Sequence, residues 1–82
     1  MKYSYKTSGV CSSKIDIEIE DGIVKSVVFT NGCNGNTQGV SALAVGMKAE
    51  DVIARLKGIK CGYKNTSCPD QLANALEAAL EQ

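Results

Sequence analysis

The chain has no histidine and no tryptophan, a single proline, and only three Tyr and one Phe among its 82 residues. Without histidine no catalytic His is possible, which excludes the commonest general base and the usual activated-nucleophile pairs. Neither sign of charge is in excess. Nine basic residues balance nine acidic ones, so the chain lacks the electrostatic footprint that a nucleic-acid backbone or an anionic membrane would select. No stretch approaches the roughly 20 apolar residues of a membrane span, and Met1-Lys2-Tyr3-Ser4-Tyr5-Lys6 lacks the apolar run of a signal peptide. The expectation is a cytoplasmic protein. No glycine loop leads from a strand into a helix to cradle phosphate, and no acidic pair is framed by apolar sequence. What remains as a source of chemistry is four cysteines: Cys11, Cys33, Cys61 and Cys68.

The length points to one domain, residues 1–82, of a size that buries only about 60% of its unfolded surface. Tyr3 and Tyr5 alternate with polar residues before Thr7-Ser8-Gly9, which suggests a short first strand at an edge. From Lys14 to Glu20 the alternation is strict, with Ile15, Ile17 and Ile19 on one face and Asp16, Glu18 and Glu20 on the other. Asp21-Gly22 is a type I′ turn signal leading into the β-branched run Ile23 to Thr30. An unbroken register from that turn pairs Glu20 with Ile23, Ile19 with Val24, Glu18 with Lys25 and Ile15 with Val28. It leaves Ile23, Val27 and Phe29 on a second face, to be covered by the N-terminal strand, a helix or a twin subunit. Extended to the open end, it sets Cys11 level with Gly32 and diagonal to Cys33.

A helix follows the Gly/Asn loop at 32–36, with Val40, Leu43 and Ala44 at helical spacing and Gly46 as its stop. A second, about Ala49 to Lys57, buries Val52, Ile53 and Leu56 and ends at Gly58. The third opens at Ser67-Cys68-Pro69-Asp70, where Ser67 or Cys68 caps, Pro69 suits the first turn and Asp70 suits the positive end of the dipole. Its apolar stripe is Leu72, Ala75, Leu76, Ala79 and Leu80. The result is an α+β domain: an antiparallel meander of about three strands followed by two or three helices packed on one face.

Cys68 opens a helix with Lys60 and Lys64 near it in sequence, a setting that suits a thiolate, and a thiolate is what metals bind. Four Cys ligands fit tetrahedral Zn or a small iron-sulfur cluster. The spacing contains no C-x-x-C knuckle, so convergence has to come from the fold. Two other readings of the same residues stand beside this one. Free Cys is among the most buried residue types and packs as a small hydrophobe, in which case the chain is a metal-free interaction domain whose cysteines are only core. Alternatively, Cys61 and Cys68 form an attacking and resolving thiol pair in a catalyst or carrier of sulfur or redox equivalents. Tyr3, Tyr5 and Tyr63 fit amphipathic surface packing, the asparagines at 34, 36 and 65 fit turns and caps, and capping explains Asp70 more simply than metal ligation or a role as base does.

Thr66-Ser67-Cys68-Pro69-Asp70 spells the signature of the TSCPD domain family, and Gly9-Val10-Cys11-Ser12, Gly32-Cys33-Asn34-Gly35-Asn36 and Cys61-Gly62 agree with it. The chain resembles that family over nearly its whole length. The resemblance implies a small stand-alone bacterial protein related to a module found toward the C-terminal end of some ribonucleotide reductases, with that reductase or an iron-sulfur or thiol-handling protein as partner. The catalytic barrel of such an enzyme is absent from a chain of this size. The layout is also similar to iron-sulfur scaffold proteins of the IscU and NifU type, with Cys11, Cys33 and Cys68 in the places of their three cysteines. Ser13 and Ser67 stand where those scaffolds carry an aspartate and a histidine. Cys61 is an added thiol, and the expected ligand set is Cys11, Cys33, Cys61 and Cys68.

Overall fold

The Asp21-Gly22 turn adopts positive φ at both residues, 53° and 77°, as a type I′ hairpin requires. In the computed structural model, which describes residues 1–10, 12–32 and 34–81 with Asn34 by its backbone alone, this turn joins β2 (Lys14–Glu20) to β3 (Ile23–Thr30). β1 (Lys2–Lys6) pairs antiparallel with the other side of β2, giving the strand order β1-β2-β3. Ile15, Ile17 and Ile19 turn one face of β2 inward and are at most 4% exposed. Burial of each such side chain contributes about 1.5–3 kcal/mol.

The hairpin register departs from an unbroken ladder after two pairs. Glu20 faces Ile23 and Ile19 faces Val24, but a bulge then sets Glu18 opposite Ser26, Ile17 opposite Val27 and Ile15 opposite Phe29. The expected Glu18–Lys25 and Ile15–Val28 pairs do not form. The reason lies in the composition of β3. A regular ladder would place Ser26 across from Ile17 on the core face, whereas one extra residue at Lys25 brings Val27 and Phe29 inward and leaves Val28 55% exposed on the outer face. Gly32 packs against Ser12, where a Cβ on Gly32 would lie 3.2 Å from the Ser12 Cβ and N; the expected placement of Cys11 level with Gly32 lies outside the described residues.

Three helices follow: α1 (Asn34–Ala44), α2 (Ala49–Leu56) and α3 (Cys68–Leu80). The segment between α1 and α2 ties back to the hairpin. Gly46 N–H donates to Val24 O at 2.8 Å, Val24 N–H to Met47 O at 2.9 Å, and Ala49 N–H to Gly22 O at 2.8 Å. α3 supplies Leu72, Ala75, Leu76 and Ala79, all fully buried, to a core shared with β2, β3 and Val52 of α2, so the helices form one layer on one face of the sheet. Leu80, expected on that stripe, is 42% exposed at the helix end. Leu43 is 78% exposed as well, because α1 turns Thr37, Val40 and Ala44 inward and leaves Leu43 on the rim facing α2. Among the described residues no helix is long and apolar enough to cross a membrane.

Candidate thiol site at the start of the last helix

Ser67 has extended backbone (φ −150°, ψ 169°) and caps α3 by accepting from Asp70 N–H at 3.2 Å. Its hydroxyl also donates to Ile59 O at 2.7 Å. Pro69 occupies the first helical turn, where a missing N–H costs nothing. The Asp70 carboxylate is buried and fully used, accepting from Gly58 N–H at 2.7 Å with one oxygen and from the Thr66 hydroxyl with the other. It is thus a tether between the end of α2 and the start of α3, more than a cap and already committed to protein donors. Thr66 is further held by Gln71 Nε2 at 2.9 Å. These bonds close residues 58–67 into a loop with both ends pinned, and inside it Cys61 N–H donates to Thr66 O at 3.2 Å while Lys64 N–H donates to Cys61 O at 3.0 Å.

Residues 7–10 and 12–13 lie across the same helix start. Ser8 N–H donates to Gln71 Oε1 at 3.2 Å. Gly9 has φ +73°, where an L side chain is strained, and a Cβ there would come within 3.1 Å of Thr66 Cγ2, which would have to give way. Ser12, buried, places its Oγ 3.5 Å from the Cys68 Sγ. Gly32, at the end of β3, then packs on Ser12. The stretches that carry or adjoin Cys61 and Cys11 therefore meet at the N-terminal turn of α3, and the end of β3 reaches it through Ser12.

The family model described as the TSCPD domain matches residues 1–80. The chain belongs to the TSCPD domain family. No curated protein and no solved structure matches it. In this TSCPD domain, Thr66, Ser67, Pro69 and Asp70 of the signature are accounted for by helix capping and loop closure, which leaves Cys68 as the signature residue with chemistry to spare.

Cys68 is buried and Cys61 exposed, both as free thiols, and they line one cleft of about 70 Å³ with Val10, Asn36, Lys64, Ser67 and Pro69. Cys11 and Cys33, the other two expected ligands, lie outside the described residues, as does the expected pairing between them. Among the described residues no group of three or more cysteine or carboxylate side chains could hold a metal ion. Tyr3 and Tyr5 pack against the core, whereas Tyr63 is fully exposed and packs on nothing, contrary to the amphipathic role expected of it. Ser12 and Gln71 are contributors that the sequence reading missed. A buried Ser beside a cysteine gives no periodic signal, and Gln71 sits on a helix where only its apolar neighbours stand out.

Proposed function

We propose that this TSCPD domain is a metal-binding module in which Cys11, Cys33, Cys61 and Cys68 hold Zn or a small iron-sulfur cluster. The observation that supports it is the convergence at the start of α3. Cys61 and Cys68 line one cleft, Val10 next to Cys11 lines it too, and Ser12, which follows Cys11, lies against Cys68 on one side and against Gly32, which precedes Cys33, on the other. The donor set suits the group. Thiolates are the ligands both centres take, and Lys64 on the cleft wall partly offsets the excess negative charge of four thiolates around a divalent ion. Bound there, a metal would cross-link the loop at 7–13, the end of β3, the pinned loop at 58–67 and α3. The family resemblance adds a process: service as a structural or accessory module in ribonucleoside-diphosphate reduction, beside a reductase or an iron-sulfur or thiol-handling partner.

Elemental analysis of anaerobically purified protein, with a visible spectrum and a thiol count before and after chelation, tests the reading. About one Zn per chain with four thiols released only by chelator is expected of a closed site. Iron with sulfide and a visible band identifies the cluster instead. Metal-free protein that takes up neither on reconstitution rejects both.

A second reading rests on the contrast between the two described thiols in one cleft. The exposed Cys61 attacks a disulfide of a partner protein, and Cys68 then displaces the mixed disulfide, so that the Cys61–Cys68 dithiol is oxidised as two partner thiols are released. This reading requires Cys61 to alkylate rapidly in protein as purified, where a metal ligand would be protected.

A further inference from the structure

The sheet has two edges, and they differ. β1 carries Lys2 and Lys6 at its ends, charges that deter pairing with another strand. On β3 the first half of the edge is already closed, since the N–H and C=O of Val24 are taken by Met47 and Gly46. Beyond the bulge, Ser26 to Thr30 contains no charged residue. The direction of its backbone groups follows from the pairing. Ile19 N–H donates to Met1 O, toward β1, at 2.8 Å, and strand alternation turns Ile17 and Ile15 the same way. Their cross-strand partners Val27 and Phe29 are therefore in non-hydrogen-bonded pairs and present N–H and C=O to the open edge. Thr30 agrees, its carbonyl turned to the β2 side and accepting from Ser13 N–H at 2.9 Å. Among the described residues, no hydrogen bond from another element takes up Val27 or Phe29. Beside them a groove of about 280 Å³ runs between β3 and α1, lined by Val27, Val28, Phe29, Thr37, Gln38 and Ser41.

We propose that a second copy of this chain docks on this edge, β3 against β3, antiparallel about a twofold axis at Val28. The result is a dimer with a continuous six-stranded sheet. This register is self-complementary at every position of the strand. Val27 exchanges both backbone bonds with the partner's Phe29, and Phe29 with the partner's Val27, satisfying the groups left open in one chain. Val28 meets the partner's Val28 in the closer, non-hydrogen-bonded pair, which covers an apolar side chain that is 55% exposed on a face otherwise made of polar and charged residues. Ser26 falls opposite the partner's Thr30, a favourable polar pair, and Lys25 opposite the partner's Asn31, so like charges do not meet. α1, which walls the groove, has no charged residue in its 11 positions, and two such helices approach without repulsion. The bulge at Lys25 limits the pairing to the five residues beyond it.

Sedimentation equilibrium from micromolar to millimolar protein tests this, together with amide hydrogen exchange at both ends of that range. Wild-type protein is expected to reach twice its 8.6 kDa chain mass. The Val27 and Phe29 amides should slow by about tenfold or more with dimerisation, while the Val24 amide, bonded within the chain, should not change. Val28→Lys sets two ammonium groups opposite each other at an exposed site, and is expected to keep the circular dichroism of the fold and lose the dimer. A single-chain mass for wild type at millimolar concentration overturns the proposal. So does a dimer that survives Val28→Lys, or exchange at Val27 and Phe29 that is indifferent to concentration.

Discussion

Among single residues, Asp70 shows how a short signature can be mainly structural. Its two oxygens accept from Gly58 N–H and the Thr66 hydroxyl, and its own N–H is held by Ser67. A hydrogen bond to a charged group contributes about 1.5–3 kcal/mol, so Asp70→Ala should destabilise the domain by about 2–4 kcal/mol once the freed donors are allowed some access to water. Ser67→Ala should cost less, about 1 kcal/mol, the usual loss of a helix cap. Urea denaturation of the two variants gives the ordering, and faster exchange of the Cys61 amide in Asp70→Ala would trace the loss to the pinned loop. Equal and small effects would mean that the 58–67 loop closes without the carboxylate. The cap itself was legible in the sequence, because Ser-x-Pro-Asp before an apolar stripe follows the rules of helix starts. The tether was not, since Gly58 lies 12 residues away and nothing local marks it as a partner.

At the scale of elements, the strands, the hairpin turn and all three helices follow from periodicity and from turn and stop residues. Asp21-Gly22, Gly46 and Gly58 each take the positive φ that their places demand. The bulge escaped because a two-residue turn specifies register only next to itself, while farther along the strand core packing decides. With the extra residue, Ile17 meets Val27 and Ile15 meets Phe29. Deleting Lys25 from the sequence leaves a regular ladder in which every one of those pairs is kept, because Ser26 then faces Glu18 without an insertion. The deletion should therefore cost within about 1 kcal/mol, as for a surface change. Cross-strand contacts between Ile17 and Val27 and between Ile15 and Phe29 should persist in nuclear Overhauser spectra. Loss of the fold on deletion would show that the bulge supplies a twist the helix layer needs. The exposure of Leu43 has the same origin as the bulge: spacing identifies a helix, but the neighbouring element determines which side of it is covered.

The whole molecule exposes 4859 Å² of surface, close to the ~4,700 Å² expected of a folded monomer of this mass and about 60% less than the unfolded chain. What is buried is light. Of the buried apolar residues, Ala44, Ala49, Ala73, Ala75 and Ala79 contribute one methyl each, and among the described residues no aromatic side chain is fully enclosed. Such a core leaves a margin of a few kcal/mol, and a ligand that binds only the folded state adds directly to it. At one hundred times its dissociation constant it adds about 2.7 kcal/mol, and each 1 kcal/mol raises Tm by about 4–8 °C in a domain of this size. If the four-thiolate reading is correct, excess Zn or cluster reconstitution should raise the Tm of metal-free protein by about 10–20 °C. Cys61→Ser separates this gain from packing. Cys61 is exposed, so the variant should melt with the wild type when both are metal-free, yet lose most of the rise on reconstitution. Cys68→Ser, at a buried site 3.5 Å from the Ser12 hydroxyl, would lower both values and decide nothing. A wild-type Tm that ignores both metals would mean that this small core stands unaided, and that Cys61 and Cys68 at the start of α3 serve exchange chemistry or packing.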